Sequence, residues 1–183
     1  MDLLHPDAVT KLDIRLFPGP DIPAELDREI DALDRAAFAG HNEGREWQWT
    51  FPKWMVLGFH AGKLVSQLGL LQREISVGGE PVQVAGVGSV ATDPKWQRRG
   101  FASQVLGFAH GWMREELQVP FGLLVCLPAT SPVYASCGWQ TVSDGLFHHQ
   151  ESGRLWMEIC VMVLCLGERQ WLEGEIDLCG LPW

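Results

Sequence analysis

A short basic loop with one glycine is the part of this sequence best suited to chemistry. It runs from Asp93 to Ala102 and reads DPKWQRRGFA, between an apolar run typical of a strand and a stretch with helical spacing. The start of a helix presents unpaired N–H groups and a positive dipole, which together can bind a diphosphate. Gly100 would let the backbone come close, and Arg98 and Arg99 could add charged contacts. The alternative is a solvated loop with two surface arginines.

Hydrophobic periodicity predicts the elements that position this loop. Helical spacing covers residues 23–39 and 101–117, and a shorter helix is expected at 131–136. An apolar face of Val105, Phe108 and Trp112 is predicted for the second helix. Residues 40–50 are expected to form a loop or a short helix over a site. Strands are predicted at 13–17, 54–60, 63–77, 82–92, 121–127 and 139–142 and within 155–166. This order indicates one mixed α/β domain over residues 1–183.

The composition and net charge indicate which classes of molecule the protein is expected to bind. The chain has 183 residues, of which 46% are hydrophobic and 20% charged, as in ordinary globular proteins. Its formal net charge is −9, from 23 acidic and 14 basic residues. Such a surface repels nucleic acid and favours a cationic partner, such as a polyamine-like small molecule.

The cysteine pattern and the first residues of the sequence bear on where the protein is expected to be located. No apolar run approaches the roughly 20 residues that span a bilayer. The first residues lack a basic region followed by an apolar stretch, so no signal peptide is expected. The five cysteines form no C-x-x-C pair and lie mostly in apolar stretches. We therefore expect buried, reduced thiols in a cytoplasmic protein that holds no metal. His148 and His149 are expected at the surface, near the mouth of the site.

Two motifs resemble those of the GNAT acetyltransferases. QRRGFA, from Gln97 to Ala102, is similar to the family's Gln/Arg-x-x-Gly-x-Gly/Ala motif at every defined position, and it follows the fourth strand. VYASCGW, from Val133 to Trp139, resembles a second signature about forty residues downstream. The resemblance implies a GNAT fold: an α/β fold with a central, twisted, mostly antiparallel sheet, helices on its sides, and fourth and fifth strands that splay apart.

The resemblance also implies a cofactor and a mechanism. Acetyl-CoA would lie in the gap between the splayed strands, and its acetyl group would pass directly to an amine. Tyr134, the only tyrosine, matches the family's proton donor to the leaving thiolate; the alternative is an aromatic that only packs. A main-chain N–H near Val90 would meet the oxyanion. The residues implied in cofactor binding are Ser89, Val90, Ala91, Thr92, Gln97, Arg98, Arg99, Gly100, Phe101 and Ala102.

Over nearly its whole length the chain resembles the aminoglycoside 2′-N-acetyltransferases most. The shared features are Ala37–Gly40, Gln72-Arg73, Ser89–Ala91 with Trp96, Tyr134–Ser136 with Gly138-Trp139, and Gly180-x-x-Trp183. The family's proposed base is a glutamate on the fourth strand, where this chain has Gly88. A water chain ending on Glu46, Glu74 or Glu151 could replace it, or the amine could arrive neutral.

The same resemblance suggests how an acceptor is held. Glu46 precedes a tryptophan where the family has an aspartate, and Glu151 or Ser152 lies near a second acidic position. Trp183 and its α-carboxylate match a third contact, but Leu181 replaces a family acid. The substrate-binding residues implied are Glu46, Glu151 and Trp183, although Glu46 could equally be a solvated loop acid. Trp47, Trp49 and Trp54 could stack on an acceptor.

Three functions follow from these features. The first is acetylation of an aminoglycoside or similar polycation, with antibiotic resistance as the result. The second is acetylation of another amine, such as a polyamine, an amino acid or a peptide N-terminus. The third is a GNAT module that binds acyl-CoA without catalysis. The late apolar strands would be compatible with a homodimer.

Overall fold

All ten strands in the described part of the chain lie in one continuous sheet. The structure is a computed structural model that describes residues 10–40 and 46–183. Its strands are β1 Asp13–Pro18, β2 Trp54–His60, β3 Lys63–Val77, β4 Glu80–Thr92, β5 Phe121–Cys126, β6 Gln140–Val142, β7 Leu146–Gln150, β8 Gly153–Met157, β9 Cys160–Cys165 and β10 Ile176–Asp177. The helices are α1 Ala24–Ala37, α2 Phe101–Trp112 and α3 Ser131–Ala135. Within these residues, no helix is long and apolar enough to cross a bilayer.

The sheet is antiparallel except at two places. Its order is β6-β9-β5-β4-β3-β10-β7-β8, and β2 adds to β3 while β1 adds to β2. Only β4–β5 and β7–β10 pair in parallel in the part of the chain described. The long β3–β4 hairpin follows from the alternating apolar residues on both sides of the Gly78-Gly79 turn. The mixed α/β fold predicted from the sequence is confirmed.

The strands β4 and β5 separate after a short contact. They pair only from Val84 to Val87 on β4 and from Phe121 to Leu124 on β5, although β4 continues to Thr92. The β3–β4 register shifts between Gln67 and Gly69. Ser89 has a positive φ of 48°, which turns the chain locally at this irregularity. The expected splay of these two strands is therefore present.

Helices α1 and α2 cover opposite faces of the sheet. Val105, Leu106 and Ala109 of α2 pack with Val56 and other buried residues on one face. Ile30 and Leu33 of α1 pack on the other, where Leu57 belongs to their cluster. Neighbours on a strand point to opposite faces, so the alternation at positions 56 and 57 follows from the strand itself.

Several expectations need correction. The second helix becomes a π-helical turn at Met113–Leu117, and Phe108 is 38% exposed instead of facing the core. Residues 155–166 hold parts of β8 and β9, while β7 and β10 have no counterpart among the predicted strands. His148 is fully buried against Trp47, so its predicted surface position is wrong. Among the cysteines Cys126 is buried, Cys137 and Cys160 are intermediate, and Cys165 and Cys179 are exposed.

Candidate active site

The loop after β4 is held in an open conformation by its own side chains. A 3₁₀ turn at Pro94–Trp96 begins with the Asp93 carboxylate accepting from the Lys95 N–H at 2.9 Å. The Gln97 amide donates to the Thr92 carbonyl at 3.3 Å. Arg98 and Arg99 are exposed, and the Arg99 guanidinium lies 4.6 Å from the Trp96 ring centre.

Gly100 lies at the junction of this loop with α2. It is the N-cap residue with φ 75°, a left-handed conformation that side chains disfavour. No heavy atom lies within 4 Å of the position where its Cβ would be. The first turn of the 12-residue α2 thus starts beside open space, with its N–H groups directed outward. This arrangement fits a diphosphate group.

The residues expected to contact a cofactor are contiguous in space, but not all of their side chains are available. Ser89, Val90 and Thr92 are partly exposed on the stretch of β4 beyond its pairing with β5. Ala91 and Phe101 are buried, and Phe101 stacks on Trp96 with 6.0 Å between ring centres. These two residues can therefore offer a ligand only main-chain groups.

Tyr134 is half-buried on α3 and packs against the α2-side core. Burial raises the pKa of its phenol above the ordinary value, and the nearby thiols of Cys126 and Cys137 raise it further. Cys126 ends β5, so the phenol lies near the place where β4 and β5 have separated. The phenol is therefore protonated at neutral pH and able to donate.

A shallow cleft lies on the α1 face of the sheet. Its lining comprises Thr50, Pro52, Gly69, Leu70, Leu71, Gly86, Gly88, Ser89 and Trp183. A Cβ at Gly86 would overlap the Trp183 indole, and a Cβ at Gly88 would lie 2.9 Å from the Trp183 carbonyl carbon. The missing side chain at position 88 is thus matched by the close approach of Trp183. The two glycines of β4 form the floor of this cleft.

The residues expected to hold an acceptor lie on segments that the structure brings together. Gln48 exchanges two hydrogen bonds with Gln150, at 2.9 and 3.0 Å, and its side chain reaches Glu151 at 3.3 Å. The Thr50 N–H donates to the Pro182 carbonyl at 2.7 Å. Glu46 and Glu151 are exposed on these segments, while Trp183 lines the cleft.

Glu74 does not belong to this group. It follows Arg73 on β3, so its side chain points to the opposite face, and it accepts from Gln83 at 3.1 Å. A water chain from the cleft to Glu74 is therefore not supported by the geometry.

Two contacts were not predicted from the sequence, one beside the cleft and one between α1 and β3. Arg73 contacts the segment that carries Trp183, and Asp34 on α1 accepts from Gln67 of β3 at 2.8 Å. The only signal for the first was the Gly86-x-Gly88 spacing, because glycines in a strand mark a close approach by another group. Nothing in the sequence indicates the hydrogen bond between Gln67 and Asp34.

Comparison with known proteins identifies the family. The profile of a family described as Acetyltransferase (GNAT) domain matches residues 23–142, which include both the basic loop and Tyr134. The chain belongs to the GNAT acetyltransferase family. Nodulation protein A of Bradyrhizobium elkanii is 34% identical to this GNAT chain over 91 residues, which are 46% of the chain and 40% of that protein.

Solved GNAT structures share the fold. A GNAT family N-acetyltransferase from Escherichia coli in complex with CoA superposes with a TM-score of 0.65 at 20% identity, covering 96% of this chain and 94% of that one. A GCN5-related N-acetyltransferase from Kribbella flavida gives a TM-score of 0.54 at 19% identity, covering 74% of this chain and 34% of the other. At these identities the likeness concerns the fold, and it specifies no acceptor.

Proposed function

We propose that this GNAT chain is an N-acetyltransferase that uses acetyl-CoA and transfers the acetyl group directly to an amine. The observation that carries this proposal is the separation of β4 and β5, together with a glycine-capped helix start at Gly100 and the half-buried phenol of Tyr134. The helix start suits a diphosphate, and the phenol suits a leaving group that needs a proton, as the thiolate of CoA does.

The chain's own groups can hold the cofactor in a simple way. The N–H groups at the start of α2, with Arg98 and Arg99, would bind the diphosphate. Main-chain groups of residues 89–92, which lie beyond the β4–β5 pairing, would hydrogen-bond to the pantetheine arm. When bound, acetyl-CoA supplies the thioester carbonyl that an amine attacks.

Tyr134 would donate its proton to the departing sulfur, because burial keeps the phenol protonated. An N–H near Val90 would stabilise the developing negative charge on the carbonyl oxygen. Position 88 has no side chain to accept the amine proton, and Trp183 lies over it. The proton would leave through water toward Glu46 or Glu151, which are exposed.

For the acceptor we propose first an aminoglycoside or a similar polycation. The net charge of −9 and the exposed carboxylates of Glu46 and Glu151 support it. The second class is another amine, such as a polyamine, an amino acid or a peptide N-terminus. Arg73, whose guanidinium lies 5.1 Å from the Trp183 ring that lines the cleft, favours the less cationic members of this class. Leu181 in place of a family acid also favours this second class.

An assay of CoA release separates these acceptors. Purified protein and acetyl-CoA are incubated with kanamycin, tobramycin or gentamicin, and in parallel with polyamines, amino acids and short peptides. Turnover with the first group supports the aminoglycoside proposal, and turnover only with the second group rejects it. Tight binding of CoA without turnover on any amine would instead indicate a non-catalytic acyl-CoA module.

A further inference from the structure

Arg73 connects two separate segments that border the cleft. Its Nη1 donates to the Leu181 carbonyl at 2.6 Å and to the Leu178 carbonyl at 3.4 Å, and its Nη2 donates to the Thr50 hydroxyl at 2.8 Å. The guanidinium also lies 5.1 Å from the centre of the Trp183 ring. One side chain of β3 thus contacts both the 46–50 and the 178–183 segment.

The two segments are also joined directly. The Thr50 N–H donates to the Pro182 carbonyl at 2.7 Å, and the Thr50 hydroxyl donates to the Leu181 carbonyl at 3.2 Å. Thr50 therefore bridges the Arg73 guanidinium and the 178–183 segment. Gly180 is close enough to Arg73 that a Cβ there would lie 3.2 Å from Nη1.

The chemistry of these contacts suits a positioning role. The described residues place no carboxylate within 4.0 Å of the Arg73 guanidinium, and its hydrogen-bond acceptors are neutral oxygens. Burial lowers the pKa of Arg73 from its ordinary value, yet an arginine remains a cation at any physiological pH. The planar guanidinium fixes the directions of its donors, so it can hold oxygens of two segments in a set geometry that a flexible lysine ammonium does not impose.

We propose that Arg73 is a positioning residue that builds the acceptor side of the cleft, by fixing Thr50 and residues 178–183 so that Trp183 lies over Gly86 and Gly88. The acceptor role rests on the proposed function, whereas the fixing of the two segments does not. Among the described residues, the hydrogen bonds of Arg73 go to Thr50, Leu178 and Leu181, and none goes to the loop at Gly100 or to Tyr134. Loss of the guanidinium should consequently weaken acceptor binding and leave the affinity for CoA unchanged.

Two measurements on Arg73→Gln and Arg73→Lys test this inference, with Arg114→Gln as control, because Arg114 is an exposed arginine on the π-helical turn. With an acceptor that is turned over, Arg73→Gln should raise the acceptor KM about tenfold, while kcat and the Kd for CoA change less than twofold. Arg73→Lys should lie between this variant and the wild type. A fall in kcat at constant KM would overturn the proposal.

The second measurement needs no activity. Hydrogen exchange followed by mass spectrometry should show the 46–50 and 178–183 peptides of Arg73→Gln exchanging about tenfold faster, with α2 unchanged. Unchanged exchange in these peptides would also overturn the proposal. If the wild type acetylates nothing, the proposed function fails, while the exchange result still decides the role of Arg73. Arg73→Lys serves for both measurements if the glutamine variant does not fold.

Discussion

The indole of Trp183 occupies the space above Gly86 that any side chain at that position would fill. Gly86 is buried in the middle of β4, and the next residue on the same face, Gly88, is covered by the Trp183 main chain. The distant segment 178–183 and the central strand therefore form one surface. The shape of this cleft depends on two glycines without side chains and one large aromatic ring.

Replacing Gly86 by alanine should displace Trp183. Because the added methyl would overlap the indole, we expect a loss of about 1–3 kcal/mol in the free energy of unfolding and a higher acceptor KM, with unchanged CoA affinity. Trp183→Ala in the same chain should recover part of the lost stability, since the two changes involve one contact. The matched control is Gly107→Ala on α2, where a Cβ meets nothing within 4 Å. Equal stability losses in the two alanine variants would argue against the packing described.

Tyr134→Phe should slow the reaction without weakening cofactor binding. A proton donor to the leaving group contributes about 10²–10⁴-fold, so kcat should fall by at least the lower figure, while the Kd for CoA changes less than twofold. Val133→Ala, at an exposed position on the same helix, is the control. Steady-state kinetics and titration with CoA measure both quantities, and an unchanged kcat removes Tyr134 from the mechanism.

The phenol also sets an expectation for pH. Burial raises the pKa of Tyr134 above its ordinary value of 10.0, so the donor form persists throughout the neutral and mildly alkaline range. The kcat of the wild type should therefore not fall with rising pH through ionisation of this group at any pH below 10.0. A decline in kcat below that pH that disappears in Tyr134→Phe would show that the phenol ionises earlier.

Asp34 should make stability depend on pH. Burial raises the pKa of this carboxyl from 3.8 to about 6, and the buried Gln67 Oε1 has no hydrogen-bond partner among the described residues. A protonated Asp34 could donate to that oxygen while still accepting from the Gln67 amide. Since the folded pKa exceeds the unfolded one, this stabilisation is complete below 3.8 and is lost as pH rises through about 6.

Asp34→Asn imitates the protonated carboxyl and should stabilise the protein at pH 7.5 by about 2 kcal/mol. The gain should shrink as pH falls from about 6 toward 4, because the wild-type carboxyl then takes up its proton. Urea unfolding at both ends of this pH range measures the gain in stability, with Glu29→Gln at an exposed position of the same helix as control. A gain that does not change with pH would contradict the raised pKa.

Local patterns predicted most of the scaffold. The β3–β4 hairpin and the start of α2 follow from alternating residues, glycine pairs and the loop at Gly100, so neighbours in sequence suffice to recognise them. The strand β10 has only two residues and pairs with Ser76 and Val77, about one hundred positions earlier in the chain. No local pattern can indicate such a strand, because its stability comes from tertiary contacts.

Only those parts of the site that are contiguous in sequence could be predicted. The cofactor loop and Tyr134 are contiguous motifs, whereas the acceptor cleft joins residues 50, 69, 86 and 183 from separate parts of the chain. His148 reads as polar and hence exposed, yet it packs against Trp47 with 4.5 Å between ring centres. Only the fold shows that this polar residue is inside and that Arg73 joins two segments.

The most direct test of the account is a calorimetric titration of CoA into the wild type, Gly100→Val and Gly62→Val. Both glycines have positive φ, of 75° and 78°, and open space at the Cβ position, so valine imposes similar backbone strain at each. We expect the wild type and Gly62→Val to bind CoA alike, and Gly100→Val to bind at least tenfold more weakly. Absence of binding by the wild type, or equal affinity in all three proteins, would contradict a cofactor held at the start of α2.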